Sequence, residues 1–161
     1  MDSLLHTPEG VRDIYNEECS RKNALSAKLD RILKLYGYKD IQTPTFEFFD
    51  IFNRERGSVP SRNMYKFIDR DGSTLVLRPD ITPSIARAVA KYFKEETIPL
   101  RFSYCGNTFI NNSSLQGKMK ETTQLGAELI GDRDIEGDAE VVALAIHLLL
   151  ESGLTDFQLD I

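Results

Sequence analysis

Four polar side chains in this sequence are of types that together recognise a small cation with hydrogen-bonding edges. Asp80 and Thr82 stand at a predicted strand-to-helix junction, and Gln124 and Glu128 share one face of a predicted strand. If these segment ends converge, two carboxylates, a hydroxyl and an amide surround one point, which suits the α-ammonium group and side chain of a small amino acid. Two simpler alternatives stay open. Asp80 only caps a helix, and Gln124 and Glu128 only lie on a solvent-exposed face of the sheet without binding a ligand.

A long antiparallel hairpin, residues 104–131, is expected to position two of these groups. Its first arm, residues 100–109, is rich in aromatic and β-branched residues, and its second arm, residues 121–130, alternates with period two. A polar loop over residues 111–118 joins them. The second arm has an apolar face (Leu125, Ala127, Leu129) and a polar face (Thr122, Gln124, Gly126, Glu128). Gly126 is expected to leave room for something to approach the backbone, so the polar face is a candidate binding face.

The remaining elements predict an α+β fold rather than alternating βαβ units. A helix begins near Asn16 and stops at Gly37, and two strands join through an Asp-Gly turn at Asp71. Thr82 is predicted to be the N-cap of a second helix, with Pro83 its first residue. A third helix ends at Gly153, and the last residues, 154–161, alternate like a strand. Because a domain seldom stops inside a strand, we expect residues 1–161 to be one core domain that is truncated at its C-terminus.

Composition excludes several classes of protein. The chain of 161 residues is 41% hydrophobic and 28% charged, as in ordinary globular domains, and no apolar run is long enough for a membrane span. The net charge of -5 argues against a chain-wide nucleic-acid surface, although it leaves room for a local basic groove. The first residues lack the features of a signal peptide, and Cys19 and Cys105 show no metal-ligand spacing. We therefore expect a cytoplasmic protein with reduced thiols and without membrane or nucleic-acid partners.

The motifs of common catalytic chemistry are absent from the sequence. It contains no Gly-rich phosphate loop, no Cys/His metal cluster and no nucleophile elbow. The two histidines, His6 and His147, stand in no recognisable catalytic setting. No metal or cofactor is predicted, and the four polar side chains remain the candidate site.

Four segments, taken together, resemble the catalytic core of class II aminoacyl-tRNA synthetases, the histidyl branch in particular. Residues 7–13 look like its N-terminal signature, and residues 36–44 look like motif 1, with Pro44 as the motif proline at the dimer interface. Residues 64–82 resemble the segment that supplies the amino-acid pocket, and residues 104–131 resemble motif 2. The resemblance implies a class II antiparallel sheet flanked by helices, with motif 3 and the histidine-specific segment beyond residue 161.

One departure from this pattern concerns ATP. Motif 2 of the synthetases opens with Phe-Arg-x-Glu, whereas the matching residues here are Phe109, Ile110, Asn111 and Asn112. Isoleucine cannot replace a guanidinium that clamps a phosphate and a carboxylate through a planar, bidentate fork. We therefore predict that Ile110 marks a lost ATP clamp and that the chain has no adenylation activity.

A synthetase core with its amino-acid pocket but without the ATP clamp is similar to the family of regulatory subunits of ATP phosphoribosyltransferase. The Arg-Pro-Asp-Ile-Thr-Pro segment that begins at Arg78 favours this family over the synthetases, which more often read Arg-Pro-Glu-Gly-Thr. The resemblance implies a non-catalytic subunit of L-histidine biosynthesis, a homodimer within a hetero-oligomer. Its implied partners are the short-form catalytic subunit and L-histidine as feedback effector, with Asp80, Thr82, Gln124 and Glu128 as the histidine-binding residues.

Two rival functions remain. The chain is alternatively the N-terminal catalytic-core fragment of a histidyl-tRNA synthetase, which the loss of arginine at Ile110 argues against. It is alternatively a stand-alone synthetase-like module that binds another protein. Binding of histidine and of a short catalytic subunit, without pyrophosphate exchange, separates the regulatory subunit from both.

Overall fold

The computed structural model describes residues 5–53, 59–112 and 117–160. These residues form α-helices and two three-stranded sheets, so the predicted α+β class is confirmed. The helices are α1 (Asn16–Leu35), α2 (Thr82–Tyr92) and α3 (Ile135–Glu151). The strands are β1 (Lys39–Asp40), β2 (Phe46–Phe48), β3 (Lys66–Ile68), β4 (Thr74–Leu77), β5 (Leu100–Phe109) and β6 (Glu121–Ile130).

The chain divides into two compact units, which we describe separately. The first unit comprises Met1–Asp13, Gln42–Glu96 and Cys105–Gln124. The second comprises Ile14–Ile41, Thr97–Tyr104 and Leu125–Ile161. Both long strands, β5 and β6, therefore contribute residues to each unit.

The first unit is built on the antiparallel sheet β2-β4-β3. The predicted β3–β4 hairpin forms because Asp69 Oδ1 accepts hydrogen bonds from the N–H groups of Asp71 and Ser73, at 2.9 and 3.0 Å. Gly72 adopts φ +80°, a left-handed conformation that glycine tolerates best. Val76 on β4 is fully buried and packs with Phe52 and Met64 to form the core of this unit.

The second unit is built on the packing of α1 and α3 against strand residues. A buried cluster forms in this unit, as the predicted apolar stripe of α1 requires. It contains Ile32 and Leu33 of α1, Leu144 of α3, and Tyr38, which follows α1. Partly buried residues surround this cluster, and they include the apolar face predicted for the second arm: Leu29, Tyr36, Leu125, Ala127 and Leu148. Helix α1 ends as predicted, since Gly37 adopts φ +83° and donates its N–H to Lys34 O.

The predicted hairpin has the bounds that the sequence indicates. Strands β5 and β6 are neighbours in the sheet β1-β5-β6, and β1 pairs with β5 in parallel. Contacts join Ile110 to Lys120, Thr108 to Thr122 and Tyr104 to Gly126. The residue numbers of the partners on β6 therefore decrease as those on β5 increase. The two arms are therefore antiparallel, and each residue i lies opposite residue 230 − i.

Two local predictions are wrong. Residues 154–160 form no strand, because an alternating segment becomes a strand only where a neighbouring strand takes up its backbone hydrogen bonds. Helix α2 begins at Thr82, one residue earlier than predicted, so Thr82 is a helical residue and not the N-cap. Within the part of the chain that the structure describes, no helix is both long and apolar enough to cross a membrane.

A bidentate ion pair joins β5 to α3 within the second unit. Arg101 Nε and Nη2 donate to Glu140 Oε1 and Oε2 at 2.8 and 2.6 Å, and both side chains are mostly shielded from solvent. The hydrogen bonds from Arg101 lower the pKa of Glu140. Burial, aided by the negative charge of Glu140, raises the pKa of the neighbouring Tyr38 to about 12.

We predict that Glu140→Gln destabilises the chain by about 1 kcal/mol at neutral pH, since it removes one partner of a charge-assisted pair. Because the folded pKa of Glu140 lies below its usual 4.5, this stabilisation is complete above that value and disappears as pH falls through the folded pKa. Urea unfolding of the wild type and the variant at several pH values measures the difference. Glu95→Gln, at an exposed position, is the control; equal effects of the two variants would contradict the assignment.

Candidate functional site

The strand-to-helix junction holds the carboxylate of Asp80 in a defined orientation. Asp80 Oδ1 accepts hydrogen bonds from the N–H groups of Ile81, at 2.7 Å, and Thr82, at 3.4 Å. The carboxylate thus satisfies donors that the start of α2 leaves without helical acceptors, the task that the sequence assigned to Thr82. Capping is therefore a real role of Asp80, and it also fixes where the negative charge stands.

Arg78 anchors this junction through several hydrogen bonds, a role that the pattern of residue types did not predict. Its Nε donates to Asn107 O at 2.8 Å, and its Nη1 donates to Thr43 O and Pro44 O at 2.7 and 3.3 Å. The residue is only 8% exposed, and burial lowers the pKa of the guanidinium. The main chain of Arg78 is hydrogen-bonded as well. Its N–H donates to Thr45 O, and its carbonyl oxygen accepts from the N–H of Phe109. An arginine in a turn motif gives no sequence signal for such partners.

The guanidinium of Arg78 also explains a glycine on β5. A Cβ at Gly106 would overlap Arg78 Nη2, so only glycine lets the side chain lie across the strand. By the hairpin register, Gln124 lies opposite Gly106. Asp80, Thr82 and Gln124 all belong to the first unit, where Arg78 links the strand that precedes Asp80 to the strand that faces Gln124.

Glu128 belongs to the second unit, together with Gly126 on the same strand. The expectation that Gly126 leaves room for an approaching ligand is wrong, because the phenol of Tyr104 occupies that space. Tyr104 is 9% exposed and lies directly opposite Gly126 in the hairpin. An aromatic ring that covers a cross-strand glycine contributes packing that the glycine itself cannot supply.

The two remaining predicted positions lie outside the strands. Ile110 follows the last residue of β5, is half-buried, and donates its N–H to Lys120 O at 2.9 Å. Pro44 lies between β1 and β2, as expected for a proline that interrupts a β-prone run, and its carbonyl oxygen is one acceptor of Arg78. Of the loop predicted over residues 111–118, residues 113–116 lie outside the described part of the chain.

The described residues contain no group of three or more His, Cys, Asp or Glu side chains that could hold a metal ion. His147 stacks edge-on against Tyr36, with 3.3 Å between Nδ1 and the phenol oxygen, on the helical packing surface of the second unit. Both cysteines are free thiols. The candidate residues of the first unit offer a carboxylate, a hydroxyl and an amide, and Glu128 in the second unit offers a carboxylate.

Comparison with known proteins places this architecture in a family. The family model described as histidyl-tRNA synthetase matches residues 10–161. A curated relative from Acetivibrio thermocellus is 45% identical over 157 residues, which are 98% of this chain and 38% of that protein, and is named ATP phosphoribosyltransferase regulatory subunit. A relative of the same name from Clostridium novyi is 44% identical over 100% of this chain and 38% of that protein. The chain thus spans well under half the length of these relatives.

Solved structures show the same similarity. A structure from Bacillus halodurans, described as an ATP phosphoribosyltransferase regulatory subunit/histidyl-tRNA synthetase, superposes with a TM-score of 0.85 at 37% identity. The match covers 95% of this chain and 39% of that one. The apo histidyl-tRNA synthetase of S. aureus superposes with a TM-score of 0.76 at 30% identity, over 90% of this chain and 34% of that one. The predicted resemblance to this fold is confirmed.

We predict that Arg78→Met lowers the free energy of unfolding by about 2–4 kcal/mol, because it leaves buried carbonyl oxygens without donors while keeping most of the side-chain volume. Arg70→Met, at an exposed position of the β3–β4 turn, is the matched control and should change stability by less than about 0.5 kcal/mol. Chemical unfolding followed by circular dichroism measures both. Similar stability of the two variants would mean that the Arg78 contacts contribute little.

A second prediction concerns the ring over Gly126. Gly126 does not have a positive φ, so alanine suits its backbone, yet a Cβ would overlap Tyr104. Gly126→Ala should therefore destabilise the chain by about 1–3 kcal/mol through overpacking. Adding Tyr104→Ala should make the alanine at 126 nearly neutral, and a double-mutant cycle from thermal unfolding measures this coupling. Additive effects would show that the ring does not occupy this space.

Proposed function

This chain belongs to the histidyl-tRNA synthetase family, and we propose that within it the protein is a non-catalytic regulatory subunit of ATP phosphoribosyltransferase. The proposal is carried by the name that its curated relatives share, at 40–45% identity over nearly the whole chain. In this function the protein is required for the activity of a short catalytic subunit, and it confers feedback control by L-histidine on that activity. The chain spans 38–41% of the length of those relatives, so the activity of a whole regulatory subunit is part of this proposal.

The position of Ile110 supports a subunit without adenylation activity. The residue stands where the synthetase motif places its arginine, at the end of β5, and it offers a half-buried aliphatic side chain. Adenylation develops negative charge at the α-phosphate, and an aliphatic group cannot stabilise that charge. A histidyl-tRNA synthetase fragment, the alternative function, would require another cation to replace the arginine.

For the effector site we propose the four polar residues, three in the first unit and one in the second. In the first unit, the carboxylate of Asp80 binds a positive group of histidine, and Thr82 and Gln124 orient the ligand. In the second unit, Glu128 is the other carboxylate that the resemblance assigns to histidine binding. The capping bonds of Asp80 support this role, because they hold its charge in place without reorganisation on binding.

Regulation then follows from linkage. If histidine binds more tightly to the inhibited assembly than to the active one, binding shifts the equilibrium between them, with a coupling free energy of about 1–3 kcal/mol. The same coupling requires the catalytic subunit to change the affinity for histidine by an equal factor.

An exposed aromatic face of the first unit supports the proposed homodimer. Phe46, Phe48 and Phe67 share one side of the sheet β2-β4-β3, as the pairs Phe48–Leu75 and Phe67–Leu75 require. They are 53%, 55% and 39% exposed, and Phe46 contacts Phe67 edge to face at 5.9 Å. Clustered exposed aromatic side chains are typical of protein interfaces, and this cluster directly follows the motif proline Pro44.

We predict that the natural full-length protein binds L-histidine without ATP and that Asp80→Asn weakens the binding at least about tenfold. Asparagine is an equally good cap, so the variant loses the charge and keeps the start of α2. Asp50→Asn, at an exposed position, is the control, and Glu128→Gln paired with Glu136→Gln gives the matching test in the second unit. Isothermal titration calorimetry measures each dissociation constant.

Three results would contradict the proposal in different ways. Histidine-dependent exchange of pyrophosphate into ATP would identify a synthetase. Equal binding by the Asp80 and Asp50 variants would exclude the proposed site but not the function. Absence of binding to both histidine and the short catalytic subunit would favour a module with another partner.

A further inference from the structure

A groove in the first unit lies along helix α2 and has a volume of about 630 Å³. Among the described residues, seven line it, of which three are cationic and none is acidic. Its other lining residues are aliphatic. Arg87 and Lys91 stand four residues apart on α2, and Lys94 lies two residues beyond the last helical residue, Tyr92. The lining residues are Ile51, Pro83, Ala86, Arg87, Ala90, Lys91 and Lys94.

The three cations are not equivalent. Arg87 Nε donates to Glu47 Oε2 at 2.7 Å, and Glu47 is only 8% exposed, so this pair is compensated and fixes α2 to β2. Lys91 lies 5.0 Å from the ring of Tyr92, and both Lys91 and Lys94 are exposed. Neither lysine has a carboxylate partner among the residues that the structure describes. The groove therefore presents about two uncompensated positive charges on a protein whose net charge is -5.

We propose that this groove binds an acidic, amphipathic segment of the ATP phosphoribosyltransferase catalytic subunit, an inference that rests on the proposed function. Arg87 and Lys91 lie one turn apart on α2, and Lys94 follows two residues after its end, an arrangement that matches acidic side chains one turn apart on a partner helix. Exposed Ala86 and Ala90 let a partner backbone approach closely, and Ile51 and Pro83 offer apolar contact to its other face. The lysines steer and orient the encounter, while the aliphatic floor supplies desolvated contact.

The floor of the groove favours a polypeptide over a nucleic acid. Single-stranded nucleic acids bind where aromatic rings stack with bases along a continuous basic track. Here the described lining residues are aliphatic or basic, and the ring of Tyr92 lies against Lys91. The negative net charge of the chain further opposes a polyanion.

The test compares two double variants with the same change of net charge. Lys91→Glu with Lys94→Glu reverses the groove, and Lys39→Glu with Lys118→Glu reverses two exposed lysines elsewhere. Calorimetric titration with the catalytic subunit of the same organism, at about 50 mM and about 300 mM NaCl, gives the dissociation constants. The groove variant should bind at least about tenfold more weakly at low salt, and the control should stay within about twofold. Salt should weaken the wild type and the control but not the groove variant.

Each other outcome is decisive. Failure of the wild type to bind the catalytic subunit contradicts both the proposed function and this inference. Binding by the groove variant equal to that of the control overturns the groove alone. If the groove variant still binds the catalytic subunit but loses the binding of a single-stranded DNA oligonucleotide that the wild type shows, the groove is instead a nucleic-acid site. If the groove variant does not fold, Lys91→Ala with Lys94→Ala replaces it, since alanine keeps the helix.

Discussion

The first unit depends on a buried guanidinium whose partners are all backbone carbonyls. Arg78 spans from the approach to β2, at Thr43 and Pro44, to β5, at Asn107, and its own main chain bonds to Thr45 and Phe109. A charge at this depth is tolerable when hydrogen-bond acceptors replace water, and here Nε and Nη1 donate to three backbone carbonyl oxygens. Asp80 stands two residues further on, so the arginine that holds the strands also sets the position of the site carboxylate.

In the second unit, different interactions hold the strands and helices together. The ring of Tyr104 covers Gly126, and the Arg101–Glu140 pair fixes the first strand of the hairpin to α3. The apolar face of β6 packs against the cluster around Ile32 and Leu144. A strand with one face in the core and polar residues on the other can carry recognition groups without loss of stability.

The proposed regulatory function fits a synthetase fold that retains ligand recognition and has lost phosphate chemistry. The carboxylates that would bind an amino acid sit on elements whose positions the core packing determines. Ile110, which the resemblance aligns with the motif 2 arginine, directly follows β5, and its N–H donates to Lys120 O. Under the proposed function, loss of phosphate chemistry at this position is compatible with regulation, because differential binding between assembly states is sufficient for it.

The sequence by itself determined the helix α1, the bounds of β5 and β6 and the Asp-Gly hairpin, because periodicity and turn chemistry are local signals. The family followed from the resemblance of four of its segments to known motifs. The sequence did not determine that residues 154–160 form no strand, or that Ile81 and not Thr82 is the N-cap of α2, with the Asp80 carboxylate accepting the N–H groups of Ile81 and Thr82. Only the tertiary structure decided that Arg78 bonds to carbonyls 29–35 residues away, that Tyr104 fills the space at Gly126, and that three cations line one groove. These features depend on contacts between residues far apart in the chain, which no local pattern of residue types encodes.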